Sequence, residues 1–320
     1  MATQRAVLVL GPGRSGTSTL TRALAALGVF LGTRFRRPVR KNPRGSFEEV
    51  NLLRLSKAVR KEVGLRAESV RLLDDAAWLR PELGRHAESM GQVIAREFAG
   101  HPVWAFKYAG NGRLLPFWLE LLPKLGIEPA FAFAYRNPLS VARSRARLDR
   151  MRGRPEKNNL EWLAHVVPYF HLLEPYPTVV VDYDQMITAP ERELTRLADG
   201  LGITPTEHTR AATEEFVAEF IRPEWRHTQF TDEDLAADAA IHPLVRRAAL
   251  ALSRLARDEV TMRDEWLCRE WAEIRESHRE LAPVLRLVDR LQADVRFARW
   301  WDLSRPLRIG WNKMPLLRAR

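Results

Sequence analysis

The stretch Gly11-Pro12-Gly13-Arg14-Ser15-Gly16-Thr17-Ser18 decides the predicted fold. It follows the apolar run Val7 to Leu10, which predicts a β-strand, and precedes Thr19 to Leu27, which predicts a helix ending at Gly28. A glycine-rich turn between a strand and a helix exposes backbone N–H groups at the positive end of the helix dipole. The stretch is therefore predicted to hold a phosphate group.

The loop differs from that of ATP-dependent kinases. A kinase-type loop has a Lys directly after its last Gly, whereas Thr17 follows Gly16 here and the cation, Arg14, comes earlier. The missing Lys argues against a nucleoside triphosphate and its Mg²⁺, and favours a donor whose transferred group carries less charge. A P-loop kinase-like phosphotransferase remains the alternative.

Three further apolar runs predict the rest of the sheet: Val103 to Phe106, Ala130 to Ala134 and Val179 to Val181. Helix-period segments separate them, and this alternation predicts an α/β fold with a P-loop-like parallel sheet flanked by helices. Ligands of such sheets bind beyond the carboxyl ends of the strands. The residues after each run are therefore the candidate site.

A second anion anchor is predicted after the third run. Asn137 is a good helix N-cap and Pro138 a good first helical residue, so Arg136 ends a strand and Ser144 lies about two turns into a helix. A guanidinium can offer two parallel hydrogen bonds to a phosphate, and a hydroxyl can bind the same anion from the side.

These two motifs resemble those of sulfotransferases that use 3'-phosphoadenosine 5'-phosphosulfate (PAPS). The segment 13–18 is similar to their 5'-phosphosulfate loop, and Arg136 with Ser144 is similar to their 3'-phosphate signature. The resemblance implies transfer of a sulfuryl group from PAPS to a hydroxyl, with 3',5'-phosphoadenosine as product and no metal. It implies nucleotide contacts from Gly13, Arg14, Ser15, Gly16, Thr17, Ser18, Arg136 and Ser144, with Tyr183 against the adenine.

The general base is predicted from a third resemblance. Asn42-Pro43-Arg44-Gly45-Ser46-Phe47-Glu48 is similar to the Asn-Pro-x-Gly-x-aromatic-Glu motif of the bacterial and carbohydrate branch, which implies Glu48 as base and a carbohydrate acceptor. A capping box of Ser46 with Glu49 would leave Glu48 free to face the crevice. Lys107 and Arg14 are expected to stabilise the transferring group.

Two features depart from the family pattern. Lys107 continues with Tyr108-Ala109-Gly110 where bacterial members often have Asp-Pro-Arg, which leaves an inactive nucleotide-binding scaffold as an alternative. The loop that covers the nucleotide in cytosolic members is absent, and Arg222 to His227 is the predicted substitute.

The formal charge of +11 predicts an anionic partner. A basic cluster precedes Glu48 and favours an anionic glycan or glycolipid acceptor; its members are Arg34, Arg36, Arg37, Arg40, Lys41 and Arg44. Nucleic acid is the other anion such a cluster can bind, but aromatic platforms for bases are sparse and we expect no nucleic-acid partner.

We expect a sulfotransferase domain over 1–230 and a helical extension over 231–320. The extension carries a seam, a row of mostly apolar residues at helical spacing. This seam predicts either a helical pair, which is kinked near Pro283 and suited to a homodimer contact, or one amphipathic helix that packs on the core. The seam consists of Leu267, Trp271, Ile274, His278, Leu281, Leu285, Val288 and Val295.

The location is predicted to be cytoplasmic. Cys268 is the single cysteine, and no apolar run reaches the ~18 residues that span a bilayer. The tail, 300–320, combines Trp with Arg and Lys, which suits either peripheral contact with the inner face of a membrane or packing on the domain.

Overall fold

The computed structural model describes residues 4–38, 45–148, 153–221 and 229–303, with side chains described as far as residue 295. Its sheet has four parallel strands: β1 Gln4–Leu10, β2 Val103–Lys107, β3 Ile127–Tyr135 and β4 Thr178–Asp182. Each predicted apolar run lies within one of these strands. The predicted α/β class, a parallel sheet flanked by helices, is confirmed.

Helices follow the strands and cover the sheet. In chain order they are α1 Thr17–Ala26, α2 Val50–Glu62, α3 Glu82–Glu97, α4 Leu115–Lys124, α5 Pro138–Ala146, α6 Pro155–Val166, α7 Tyr183–Thr188, α8 Pro190–Leu201, α9 Glu207–Glu215, α10 Asp232–Ala237, α11 Pro243–Ala256, α12 Glu265–Glu280 and α13 Ala282–Leu303. Short 3-10 turns occupy Asp75–Trp78, Asn111–Arg113 and Phe170–Leu173, and a π turn, Phe216–Phe220, follows α9.

The strand order β2-β1-β3-β4 creates a crevice at one place on the sheet edge. The chain leaves β1 toward β2 on one side, whereas it leaves β3 toward β4 on the other side. Parallel sheets bind ligands where neighbouring strands send their connections in opposite directions. The segments after Leu10 and after Tyr135 therefore flank the expected binding crevice.

Both faces of the sheet are buried, as a parallel sheet requires. Alternate residues of β1 point to opposite faces: Leu8 and Leu10 belong to the larger core cluster, and Val7 and Val9 to the second. The second cluster includes buried residues of α1 and α8, and the larger one includes those of α4 and α11.

The seam of the C-terminal segment packs α12 on the α/β core. Trp271 is buried, its ring centroid lies 4.2 Å from that of Phe170, and its indole N–H donates to the carbonyl of Val167 at 3.4 Å. For this half of the seam the structure has the amphipathic-helix arrangement. Where a kink was predicted near Pro283, the structure has a break between two helices: α12 ends at Glu280 and α13 begins at Ala282.

The first turns of α13 contact the segment before α3. Leu285 is buried with Val70 and Ala164, and Asp289 accepts a hydrogen bond from the backbone N–H of Val70 at 2.7 Å. Leu287 and Leu291, on another face of α13, are exposed. The homodimer contact and the domain division at residue 230 stay predictions, and the tail 304–320 lies outside the described residues.

No helix within the described ranges combines the length and apolar character needed to cross a bilayer.

Candidate active site

The loop after β1 is held tightly against the neighbouring strand. Gly11 has a φ of 118°, and a Cβ placed there would lie 2.4 Å from the carbonyl oxygen of Ala134. Only glycine fits this combination of left-handed backbone and close approach. The predicted phosphate loop therefore lies directly beside the end of β3.

Helix α1 begins with an uncovered N-terminus. Its N-cap, Gly16, has a φ of 88° and no side chain to cap the helix, so the first N–H groups of α1 remain available to an anion. The structure begins this helix at Thr17, two residues before the predicted start. Thr17 and Ser18 are thus its first two residues, while Gly13 lies in the loop and lines the adjacent cavity.

Ser15 lies at the base of the loop and is 0% exposed. Its hydroxyl has no hydrogen-bond partner among the described residues. A buried hydroxyl is nearly always paired, so an unpaired one beside a helix N-terminus fits a ligand oxygen. The donor set of the loop, backbone N–H groups and hydroxyls, suits a phosphate or phosphosulfate.

Arg14 joins the two predicted anion anchors. Its Nε donates to the hydroxyl oxygen of Ser144 at 3.1 Å, although 130 residues separate them in the chain. Arg14 has a φ of 81°, a left-handed conformation that disfavours residues with a Cβ and is most often kept at functional sites. Partial burial, and then the charge of Arg136, lower the pKa of the Arg14 guanidinium.

Arg136 and Tyr183 form the other side of the crevice. The guanidinium carbon of Arg136 lies 4.4 Å from the centroid of the Tyr183 ring. The same ring borders the phosphate loop, since a Cβ on Gly16 would lie 2.3 Å from Tyr183 Cδ2. Asn137 caps α5 by accepting from the N–H of Leu139, as predicted. Both anchors thus face one crevice.

Asp182 has a structural position at the end of β4. Its carboxylate caps α7 by accepting from the N–H of Asp184 at 2.8 Å. Burial, with the charges of Asp184 and Asp232 adding to it, raises the pKa of Asp182 to about 7. The described residues contain no group of three or more His, Cys, Asp or Glu arranged to hold a metal ion.

Glu48 and Lys107 form a buried ion pair at the end of β2. Lys107 Nζ lies 3.1 Å from Glu48 Oε1, and the Ser46 hydroxyl donates to Glu48 Oε2 at 3.1 Å. Arg36 approaches the same carboxylate at 3.6 Å. Burial lowers the pKa of the Lys107 ammonium, and the Glu48 charge opposes that shift. Each carboxylate oxygen of Glu48 is therefore oriented by a neighbouring side chain.

The predicted capping box of Ser46 with Glu49 is wrong. Helix α2 begins at Val50, so Glu49 is itself the N-cap and accepts from the N–H of Leu52 at 2.7 Å. Ser46 lies too far upstream to cap this helix and bonds Glu48 instead. Glu49 does have a structural role, as expected, while Glu48 is left at the cavity wall.

A cavity of about 410 Å³ opens beside Arg14 and Glu48. Three side chains of α2, Leu53, Lys57 and Arg60, line it at helical spacing, together with Tyr108 and the buried Arg113. Arg60 donates to the Tyr108 hydroxyl at 2.8 Å. Sequence reasoning did not place Leu53, Lys57, Arg60 or Arg113 at the site, although the spacing of Leu53, Lys57 and Arg60 could have revealed a common helix face.

Only part of the predicted basic cluster reaches this cavity. Arg36 lines it, whereas Arg34 pairs with Glu97 of α3 and Arg37 is exposed. The Arg34 ion pair thus attaches the segment before α2 to α3. Arg40, Lys41 and Arg44, like the predicted covering segment 222–227, lie outside the described residues.

Comparisons with known proteins gave structural neighbours only. No protein-family model and no curated protein sequence matches the chain. The chain is similar to a solved structure named as a sulfotransferase domain from the Synechococcus PCC 7002 olefin synthase, with 16% identity and a TM-score of 0.39 over 87% of this chain and 95% of that one.

Two further structures are similar at the same level. One is sulfotransferase STF9 from Mycobacterium avium, with 18% identity and a TM-score of 0.42 over 87% of this chain and 77% of that one. The other is a sulfotransferase domain from the curacin biosynthetic pathway, with 16% identity and a TM-score of 0.45 over 79% of this chain and 99% of that one.

Proposed function

We propose that the chain is a sulfotransferase that moves a sulfuryl group from PAPS to a hydroxyl of a carbohydrate acceptor. The observation that supports this proposal is the hydrogen bond between Arg14 and Ser144, because it joins the two segments whose motifs resemble the 5'-phosphosulfate loop and the 3'-phosphate signature. A nucleotide with phosphate groups at both ends needs two such anchors in reach of each other.

The nucleotide contacts follow from this arrangement. The N-terminus of α1 with Ser15, Gly16, Thr17 and Ser18 would bind the phosphosulfate. Arg136 and Ser144 would bind the 3'-phosphate. Tyr183, whose ring lies between the Arg136 guanidinium and Gly16, would contact the adenine.

The reaction needs a base and a stabilised leaving group. The acceptor oxygen forms a bond to sulfur while the bond from sulfur to the 5'-phosphate oxygen breaks, and 3',5'-phosphoadenosine leaves. Glu48 would take the acceptor proton, since Lys107 and Ser46 fix its carboxylate at the cavity wall. The cations of Lys107 and Arg14 would stabilise the charge that develops on the leaving oxygen.

The cavity wall supports a carbohydrate over a phenol. Sites for flat aromatic ligands are mostly apolar, whereas more than half of the residues that line this wall are charged or polar. Arg14, Glu48, Lys57, Arg60 and Ser69 all line it.

A transfer assay with radiolabelled PAPS against a panel of glycans and phenols tests the proposal. We expect label in glycans without added Mg²⁺, and heat on titration with 3',5'-phosphoadenosine. ATP turnover without binding of this product would support the kinase alternative instead. Binding of the product with no transfer to any acceptor would support an inactive scaffold.

A further inference from the structure

We infer that the acceptor is an acid, and that its anionic group binds between Lys57, Arg60 and Arg113, apart from the reacting hydroxyl. This inference rests on the proposed function for the identity of the reacting end. The cation cluster formed by these three residues is distinct from the two nucleotide anchors, and none of its members belongs to a motif predicted from the sequence.

The cavity carries more positive charge than its surroundings neutralise. Glu48 is the one carboxylate among the described lining residues, and it already contacts Lys107 and Arg36. Two other lining cations have carboxylate partners: Arg66 lies 3.6 Å from Glu68, and Arg145 lies 3.1 Å from Glu161.

The cation cluster differs from these neighbours. Among the described residues, no carboxylate oxygen lies within 4.0 Å of a charged nitrogen of Lys57, Arg60 or Arg113. Arg60 contributes one hydrogen bond, to the neutral hydroxyl of Tyr108. These three cations line one cavity without an ion-paired carboxylate, so an anion bound in that cavity would gain favourable electrostatic interactions with them.

Arg113 is the second, independent observation. Its side chain is only 4% exposed, its two terminal nitrogens donate to the carbonyls of Ser69 and Arg71 at 2.8 and 2.7 Å, and its Nε has no partner among the described residues. Burial lowers the pKa of this guanidinium to about 10, although the charges of Tyr169 and Asp289 partly oppose that shift. A buried cation bonded only to neutral groups is costly, and a ligand anion would compensate it.

The length of α2 separates the part of the cavity near Glu48, where the hydroxyl would react, from the part near Lys57 and Arg60, where the anionic group would bind. Glu48 precedes the N-cap Glu49, while Lys57 and Arg60 lie in the second half of the helix. At ~1.5 Å rise per residue, the backbone positions of these two residues lie roughly 12 to 16 Å along the helix from its N-cap. The anionic group therefore belongs to a part of the acceptor remote from the reacting hydroxyl, as in an acidic oligosaccharide.

The test uses a matched pair of oligosaccharides. One is an unsulfated tetrasaccharide that contains glucuronate, and the other is the same compound with its carboxylates reduced to alcohols. Binding of each is measured by calorimetry, with 3',5'-phosphoadenosine present, for the wild type, the double variant Lys57→Gln with Arg60→Gln, and Lys61→Gln. Lys61 is an exposed lysine of α2 that does not line the cavity, so it controls for the loss of charge.

We expect the acidic tetrasaccharide to bind the wild type and Lys61→Gln at least about tenfold more tightly than the neutral one. The double variant should lose that preference and keep its affinity for 3',5'-phosphoadenosine. Equal binding of both sugars by the wild type, or an undiminished preference in the double variant, would overturn the inference. Weaker binding of 3',5'-phosphoadenosine by the double variant would also overturn the inference, because it would show that Lys57 and Arg60 bind the nucleotide.

The two proposals can fail separately. A preference that depends on Lys57 and Arg60 in a protein with no transfer activity would support the anion site and contradict the sulfotransferase. Transfer that is equally fast to acidic and neutral sugars would support the enzyme and contradict the anion site.

Discussion

Lys107 Nζ lies 3.1 Å from Glu48 Oε1, both side chains are almost fully buried, and Glu48 lines the cavity. The pair links the last residue of β2 to the residue before the N-cap of α2. It therefore fixes the proposed base against the sheet edge, beside the loop that carries Arg14.

Replacement of Glu48 by Gln tests its role as base. The amide keeps the volume and can still accept hydrogen bonds through its oxygen, but it cannot take a proton. We expect the transfer rate to fall about 10²- to 10⁴-fold. Affinity for 3',5'-phosphoadenosine, measured by calorimetry, should stay close to that of the wild type. A fully active variant would exclude Glu48 as the base.

The buried ion pair of Glu48 and Lys107 is also expected to affect the free energy of unfolding. Lys107→Met leaves the buried Glu48 carboxylate with Arg36, at 3.6 Å, as its remaining ion-pair partner, and should lower the free energy of unfolding by about 3 kcal/mol. The double variant Glu48→Gln with Lys107→Met should lose less unfolding free energy than the sum of the two single losses, because neither member of the pair leaves a buried unpaired charge behind. Urea unfolding of the four proteins measures this coupling. Strictly additive losses would show that the pair has no energetic connection.

Arg136 should distinguish nucleotides by their 3'-phosphate. Arg136→Lys keeps the charge but loses the planar fork and its stacking on Tyr183, so affinity for 3',5'-phosphoadenosine should fall about tenfold or more. Affinity for adenosine 5'-monophosphate should change little. Tyr183→Phe keeps the ring under the guanidinium and serves as the control. An equal loss of affinity for both nucleotides would show that Arg136 does not contact the 3'-phosphate.

The left-handed backbone of Arg14 is predicted to lower the free energy of unfolding, while its side chain is required for activity. Its left-handed φ costs a residue with a Cβ roughly 1 kcal/mol, which Gly would avoid. The hydrogen bond to Ser144, lost at the same time, is solvent-accessible and weak. Arg14→Gly should therefore unfold in urea at no lower concentration than the wild type, while transfer activity collapses. Arg14→Lys, which keeps both the cation and the strain, should retain more activity than Arg14→Gly.

Asp182 should make stability fall as pH rises. Its folded pKa, about 7, lies above the ordinary value of 3.8 because of burial, with the neighbouring acids Asp184, Asp232 and Glu193 adding to the shift. Between 3.8 and about 7 the folded state binds more proton than the unfolded state. The stability that protonated Asp182 contributes is therefore complete below this window and lost as pH rises through it.

Asp182→Asn isolates that effect, because Asn caps a helix as well as Asp does. The variant should gain stability relative to the wild type as pH rises from about 4 to about 8, as measured by urea unfolding across this range. A constant difference between the two proteins would contradict the raised pKa of Asp182.

Local patterns predicted the elements that carry the site. Apolar runs bounded by Gly11 and by Arg136 marked two strand ends, and the pair Asn137-Pro138 marked the start of α5. These features depend on residues adjacent in the chain, whose backbone preferences act over one or two turns. The error at Ser46 and Glu49 has the same origin, because the capping pattern depends on the register of the helix, and packing of α2 places that helix start at Val50.

The sequence by itself determined a parallel α/β sheet, with a glycine-rich loop after β1 and Arg136 directly after β3. Only the tertiary structure decided that Arg14 contacts Ser144, that Lys107 pairs with Glu48, and that the buried Arg113 lines the same cavity as Lys57 and Arg60. Such contacts join segments far apart in the chain, and their partners depend on strand order and helix packing. No periodicity within a single segment contains that information.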